Sequence, residues 1–154
     1  NIIMLDIEEF EKKIDRKSRL LGIDPGKKRI GIAICDENKI IATPHTTIIK
    51  NNFSEFLIQI NKIIKENDIK GIIIGNPINL DGTNSQSSQS AKDLAINLSK
   101  NITLPIVMWD ERLSSRGAFN LSNDLNVNTS KKISKLDENS AAFILQGALD
   151  FLKR

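Results

Sequence analysis

The sequence predicts an α/β fold in which helices flank a mixed β-sheet within a single domain. Strand-like segments first follow one another across tight turns and then alternate with helical segments, which is the order of a mixed sheet. At 154 residues, of which 40% are hydrophobic, the chain has enough material for one core and too little for two full domains. Its longest apolar runs fall far short of the ~20 residues of a membrane-spanning helix, so we expect no membrane partner.

Charge and cysteine content narrow the classes of function. Lys and Arg number 22 against 19 Asp and Glu, and the resulting net charge of +3 is compatible with an acidic partner. The single cysteine, Cys35, cannot form an internal disulfide, which favours a reducing compartment and a cytoplasmic protein. With His45 as the one histidine, the chain lacks the ligands of a structural zinc site. The acidic start of the chain argues against a signal peptide.

The first half of the chain is predicted to open with a helix and to continue as a hairpin run. Apolar residues at helical spacing predict an amphipathic helix over residues 3–15, and we treat residues 1–17 as a helical extension of a domain over residues 18–154. Three strands joined by tight turns follow, over residues 18–24, 29–36 and 39–42. A helix capped by Ser54 comes next and ends near Asn67.

Helices and short apolar strands alternate in the second half. The predicted elements are a strand over 71–75, a helix over 91–98, a strand over 105–109, a helix over 114–125 and a final helix over 138–152. A polar segment over 76–90 follows the first of these strands, and long loops at strand ends are often functional. A lysine-bearing polar stretch, 126–135, precedes the last helix. Trp109 is expected to lie mostly in the core.

Three acidic sites fall where a predicted strand ends or a predicted helix begins: Asp24, the pair Asp110-Glu111, and Asp137. The carboxyl ends of parallel strands meet at one edge of a sheet, so groups distant in sequence converge there. A cluster of carboxylates without histidine or cysteine is a hard-oxygen site that suits Mg²⁺ or Mn²⁺. The sequence therefore predicts a divalent metal site at this edge.

Each acidic site also has a purely structural interpretation. Asp24 precedes Pro-Gly and could serve only to hold a turn. Asp137, just ahead of the predicted final helix, could be an N-cap that contributes roughly 1 kcal/mol. Asp110 and Arg112 could form a surface ion pair of little energetic value. The metal interpretation depends on all three sites occurring in one small domain.

Basic and amide side chains near these acids are candidates for contacts with a polyanion. Three cations, Lys27, Lys28 and Arg29, follow Asp24 directly and could neutralise phosphates, or could simply form a solvated turn. Lys131, Lys132 and Lys135 precede Asp137 and could guide a polyanion towards it, or form a solvated linker. The 76–90 segment offers amides and hydroxyls for phosphates or base edges, and Asn79 is the candidate within it.

Four motifs resemble a known family when they are taken in order. They are residues 22–33 (GIDPGKKRIGIA), 75–83 (GNPINLDGT), 110–115 (DERLSS), and Asp137 with the later AA and ILQ of residues 141–146. Together they resemble the YqgF family, whose members are described as pre-16S ribosomal RNA nucleases or Holliday junction resolvase-like proteins. The resemblance covers residues 20–152. Within the 75–83 motif, Asn76 and Leu80 replace the leucine and methionine that are usual in the family.

The resemblance implies a ribonuclease H-like fold and a metal-dependent phosphodiesterase that acts on structured nucleic acid. It places the family's catalytic and metal-binding acids on Asp24, Glu111 and Asp137, with Asp110 supporting the strand end or Arg112. Arg112 would then join Lys27 and Lys28 in handling phosphate charge.

The function predicted from the sequence is a cytoplasmic nuclease that uses Mg²⁺ or Mn²⁺ to process the 5′ end of pre-16S rRNA, as a monomer or homodimer. One alternative is a Holliday junction resolvase-like endonuclease that acts on branched DNA. Two others are a ribosome-assembly factor that binds pre-rRNA without cleaving it and an actin-like nucleotide-binding module.

Overall fold

A computed structural model describes residues 6–77, 81–82, 86–113 and 129–153, with the backbone alone for residues 86–87 and 129–138. Its centre is a five-stranded sheet. The strands are β1 (Arg19–Pro25), β2 (Arg29–Cys35), β3 (Ala42–Ile49), β4 (Ile69–Asn76) and β5 (Ile106–Asp110). The first three form an antiparallel meander, and β4 and β5 add in parallel beside β1, which gives the order β3-β2-β1-β4-β5. The predicted mixed sheet is therefore confirmed.

The third strand begins where the prediction ended it, so the predicted bounds of 39–42 are wrong. The carboxylate of Asp36 accepts the backbone N–H groups of Asn38, Ile40 and Ile41 at 2.8 to 3.1 Å. These bonds close a turn over residues 36–41 and delay the strand until Ala42.

The helices are α1 (Ile7–Lys13), α2 (Phe53–Asn67), α3 (Gln86–Asn101) and α4 (Thr129–Leu152), and a 3₁₀ turn, Glu111–Leu113, follows β5. The predicted cap of α2 is wrong, because Asn52 is the residue whose side chain accepts the N–H of Glu55. The start of α3 lies inside the predicted loop over 76–90. The helix predicted over 114–125 lies outside the described residues.

The last helix starts at Thr129 and not at residue 138. No glycine or proline occurs between residues 129 and 138, and the lysines there are good helix formers, so nothing interrupts the helix. Asp137 therefore lies within α4, and its interpretation as an N-cap is wrong. The stretch with Lys131, Lys132 and Lys135 is likewise helical backbone and not a linker.

Helices cover both faces of the sheet over two apolar clusters. One face packs against α2 and α3 through Ile23, Ile72 and Ile74, and the other packs against α4 and α1 through Leu20, Ile73, Val107 and Trp109. Successive strand residues point to opposite faces, so these clusters assign a face to every position of β1, β4 and β5.

Glycines let α4 and α1 approach the sheet closely. A β-carbon on Gly22 would lie 2.7 Å from the Cβ of Leu145, and one on Gly71 would lie 2.8 Å from the Cζ of Phe10. Phe10 is fully buried, so α1 contributes to the core. Trp109 is 2% exposed and packs edge-on against Phe151, which confirms its predicted place in the core. No described helix combines the length and apolarity needed to cross a membrane.

Candidate active site

The carboxyl ends of β1, β4 and β5 lie side by side at one edge of the sheet. In the register of these strands, Ile23 pairs with Ile74, and Gly75 pairs with Trp109. One residue further along, Asp24 is therefore level with Gly75, and Asp110 and Glu111 follow at the end of β5. Strands stand about 4.8 Å apart, so the backbones that carry Asp24 and Glu111 are separated by about 10 Å.

Asp24 has glycine neighbours on both adjacent strands. On β2 its partner is Gly31, and on β4 the neighbour at the same level is Gly75, so neither adjacent strand places a side chain beside it. Gly22, two residues earlier, faces α4, and strand alternation directs Asp24 to that same face. Its side chain is partly exposed.

Glu111 extends its carboxylate over the same face. Its Oε2 lies 3.2 Å from the point that a β-carbon on Gly75 would occupy, and the Cδ1 of Ile144 in α4 lies 2.6 Å from that point. Because Gly75 has no side chain, the Glu111 carboxylate and Ile144 of α4 can both lie next to it. Two of the predicted carboxylates, those of Asp24 and Glu111, consequently lie on the α4 side of one sheet edge.

Asp110 behaves differently from its neighbour. Its Oδ1 accepts the Nε and the backbone N–H of Arg112, each at 3.0 Å, and its Oδ2 accepts the Nη2 of Arg112 at 2.7 Å. The side-chain hydrogen bond from Arg112 is the main cause that lowers the pKa of Asp110, and the same bond raises the pKa of Arg112. The ionised carboxylate of Asp110 is thus engaged in an ion pair with Arg112.

Position 137 can be placed by the backbone of α4. Gln146 binds the backbone of Ile40 and Ala42 at the opposite end of the sheet, so earlier residues of α4 lie towards the edge that carries Asp24. The carbonyl oxygen of Ala141 lies 3.2 Å from the β-carbon position of Gly22, and Asp137 precedes Ala141 by one helical turn. Its side chain lies outside the described part of the chain.

No group of three or more His, Cys, Asp or Glu side chains that could hold a metal occurs among the described residues. The described part of the predicted site holds two of its three carboxylates, since the third, on Asp137, is not included. The assignment of the metal ligands therefore stays a prediction.

The basic residues after Asp24 are exposed on the turn between β1 and β2 and at the first position of β2. This turn requires Gly26, whose N–H bonds the carbonyl of Asp24 at 3.0 Å, because a β-carbon there would lie 2.1 Å from the carbonyl oxygen of Arg29. Lys27, Lys28 and Arg29 therefore stand at the same edge as Asp24, in contact with solvent. Asn79 lies outside the described residues, and so do the side chains of Lys131, Lys132 and Lys135.

One polar contact at this edge was not anticipated from the sequence. The hydroxyl of Ser88, a fully buried residue of α3, donates to Oδ1 of Asn76 at 2.8 Å and ties the helix to the end of β4. The spacing of Ser88, Ala91 and Ala95 on one helical stripe is the signal that could have revealed it.

The fold defines the class of protein. Superposition on RuvC of Thermus thermophilus gives a TM-score of 0.53 at 8% sequence identity, over 85% of this chain and 93% of RuvC. A structure of T. thermophilus RuvC in complex with a Holliday junction substrate gives 0.52, over 86% and 93% of the two chains. The sheet and its helices therefore have the predicted ribonuclease H-like fold, which they share with RuvC.

Sequence comparison identifies the family. The chain belongs to the RuvX Holliday junction resolvase family, whose family model matches residues 18–151. A protein of Pelagibacter ubique named "Putative pre-16S rRNA nuclease" is 55% identical over 149 residues, covering 97% of this chain and 99% of that protein. A protein of the same name from Zymomonas mobilis is 37% identical, over 94% and 88% of the two chains.

These comparisons confirm the family resemblance and the predicted fold. Membership makes the chain a nuclease, a hydrolase that acts on the phosphodiester bonds of nucleic acid. Nucleases and resolvases of this kind generally depend on divalent metal ions.

Proposed function

We propose that this chain is an endonuclease that processes the 5′ end of pre-16S rRNA in the cytoplasm, with Mg²⁺ or Mn²⁺ as its cofactor. The observation that carries the proposal is the place of the Glu111 carboxylate, over Gly75 and on the same face of the sheet edge as Asp24. The names of the relatives from Pelagibacter and Zymomonas support the choice of RNA.

The donor atoms fit a hard divalent cation. Carboxylate oxygens are the ligands that Mg²⁺ and Mn²⁺ prefer, and the neighbours of Asp24 on both adjacent strands are glycines. Asp24, Glu111 and Asp137 would hold the ion. When bound, such an ion activates water as a nucleophile and stabilises the negative charge on the leaving oxygen.

The chain's own residues bind and orient the substrate. Lys27, Lys28 and Arg29 on the exposed turn after Asp24 neutralise phosphates on either side of the bond to be cut. Lys131, Lys132 and Lys135, on the first turns of α4, and Asn79, between β4 and α3, extend the contact with the nucleic acid. The bond to be cut is thereby held next to the carboxylates.

The proposal is tested by cleavage of a panel of substrates with and without Mn²⁺. The panel contains pre-16S rRNA, RNA and DNA duplexes and a four-way DNA junction, and the variants are Asp24→Asn and Glu111→Gln. We expect Mn²⁺-dependent cleavage of pre-16S rRNA that both substitutions abolish while the melting temperature stays nearly unchanged. Asp93→Asn, on the exposed face of α3, is the matched control and should cleave normally.

Each other outcome identifies a competing function. Full turnover by Asp24→Asn would refute the site, and salt-dependent RNA binding without cleavage would indicate an assembly factor. Cleavage of the four-way junction alone would indicate the branched-DNA enzyme that the family description names. A four-way junction has two-fold symmetry, so sedimentation of the complex with it should then show a homodimer. A complex with pre-16S rRNA needs only a monomer.

A further inference from the structure

Arg112 is held on one edge of its guanidinium by Asp110. Two parallel bonds, Nε to Oδ1 at 3.0 Å and Nη2 to Oδ2 at 2.7 Å, form the bidentate arrangement that Arg makes with a carboxylate. The backbone N–H of Arg112 also donates to Oδ1 of Asp110 at 3.0 Å, which closes a turn around the residue between them. That residue is Glu111.

The other edge of the same guanidinium faces the turn at Asp81 and Gly82. Its Nη1 lies 3.6 Å from the β-carbon position of Gly82, which has a φ of +90° and marks a tight turn. The charge of Asp81 in this turn also acts on Arg112. Arg112 thus bridges the end of β5 and the Asp81–Gly82 turn.

The charges in this group oppose a direct role in binding phosphate. The guanidinium of Arg112 binds the carboxylate of Asp110 and is also subject to the charge of Asp81, so these three charges sum to −1 and do not favour an approaching phosphate. One of the two edges that can make a bidentate contact with phosphate, that of Nε and Nη2, is already occupied by Asp110, and Nη1 on the other edge faces Gly82.

We propose that Asp110 and Arg112 act as positioning residues, which fix the backbone of Glu111 and fasten the Asp81–Gly82 turn beside it, and that Arg112 does not contact the nucleic acid. This inference rests on the proposed function, in which Glu111 is a metal ligand. Substitution of a residue that orients a metal ligand through a hydrogen bond typically lowers metal affinity 10- to 100-fold.

The test measures Mn²⁺ binding to the full chain by titration calorimetry, without nucleic acid. The variants are Arg112→Lys, Asp110→Asn and the two combined. Lysine keeps the charge but cannot form the two-bond fork, so we expect the Mn²⁺ dissociation constant to rise at least about tenfold in each single variant. The double variant should bind no more weakly than the weaker single one, because both changes break the same contact.

A second measurement separates positioning from phosphate binding. Loss of a phosphate ligand reduces the slope of log affinity against log salt concentration by about one unit. Because Arg112 does not contact the nucleic acid in this inference, Arg112→Ala should leave the slope for RNA binding unchanged. The pair Asp68 and Lys70 is the matched control: it has the same spacing and a 3.0 Å contact but lies at the start of β4. Asp68→Asn and Lys70→Ala should leave Mn²⁺ affinity as in the wild type.

The outcomes separate this inference from the proposed function. If the wild type binds no Mn²⁺, both fail. If Glu111→Gln abolishes binding but Arg112→Lys binds like the wild type, only the positioning role fails. A lower salt slope in Arg112→Ala would restore Arg112 as a phosphate ligand. Tighter Mn²⁺ binding by Arg112→Ala would identify Asp110 as the metal ligand, since its carboxylate would have been released. Thermal unfolding verifies that each variant is folded.

Discussion

The carboxylate of Glu111 lies directly over Gly75, with Oε2 3.2 Å from the position that a β-carbon on Gly75 would take. Gly75→Ala should therefore disturb the site without removing any of its functional groups. The added methyl group meets the Cδ1 of Ile144 at 2.6 Å, so the Ile144 side chain, α4 or Glu111 must shift, and overpacking of this kind costs about 1–3 kcal/mol. We expect this loss in urea unfolding, together with weaker Mn²⁺ binding.

A matched substitution exists on the same strand. Gly71→Ala introduces a methyl group 2.8 Å from Phe10, at the other end of β4. It should lower the free energy of unfolding by a similar amount and leave Mn²⁺ affinity unchanged. Equal losses of Mn²⁺ affinity in both variants would mean that the effect comes from general destabilisation.

The exposed turn after Asp24 should control the salt dependence of RNA binding. If Lys27 and Lys28 each neutralise one phosphate, the double alanine variant should lower the slope of log affinity against log salt by about 1.4–1.8 units. Fluorescence anisotropy between 50 and 300 mM salt measures this. Alanines at Lys12 and Lys13, two exposed residues of α1, serve as the control. A slope that changes equally in both pairs would show that only net charge matters.

The N-terminal helix should contribute strongly to stability. Phe10 is fully buried in the apolar cluster between the sheet and α4, where it contacts Leu20 and Gly71. Phe10→Ala therefore leaves a cavity and should lower the free energy of unfolding by about 3–5 kcal/mol. Exposed Glu8, on the same helix, gives a control substitution whose effect should stay within about 0.5 kcal/mol. A negligible loss for Phe10→Ala would support the division into a dispensable extension over residues 1–17 and a domain over 18–154.

Acid should remove the contribution of Asp36 to stability. Backbone N–H groups, that of Ile41 first, lower the pKa of Asp36 below its ordinary value of 3.8. Because the pKa is lower in the folded state, the stabilisation is complete above that ordinary value and disappears as the pH falls through the folded pKa. The difference in unfolding free energy between the wild type and Asp36→Asn should therefore be constant from pH 8 to 5 and shrink below pH 4. A difference that persists unchanged at pH 2.5 would contradict this.

Patterns that span several residues predicted the sheet correctly, whereas boundaries set by single contacts did not follow from them. The apolar run around Ile73 and the turn at Gly26 predict strands whichever partners they find. The cap of α2 depends on a choice between Asn52 and Ser54, two residue types with similar capping preference, and only the three-dimensional path of the chain decides it. The late start of β3 depends in the same way on the carboxylate of Asp36.

The candidate site shows the same division. The positions of Asp24 and Glu111 at strand ends follow from the sequence, because parallel strands bring their carboxyl ends to one edge. The difference between Asp110 and Glu111 follows only from the family resemblance and not from spacing, since adjacent carboxylates look alike in a sequence. It becomes visible once Arg112 is seen to bind Asp110 and Glu111 is seen to lie over Gly75.

The burial of Cys35 makes the protein convenient for site-specific labelling. The residue is 2% exposed, and its thiol accepts the backbone N–H of Leu20. Burial raises the pKa of the thiol, so little reactive thiolate is available in the folded state. Since the chain has no other cysteine, a probe attached to a newly introduced surface cysteine would report on that position alone. Fluorescent or spin-labelled derivatives can therefore be prepared without first replacing the native thiol.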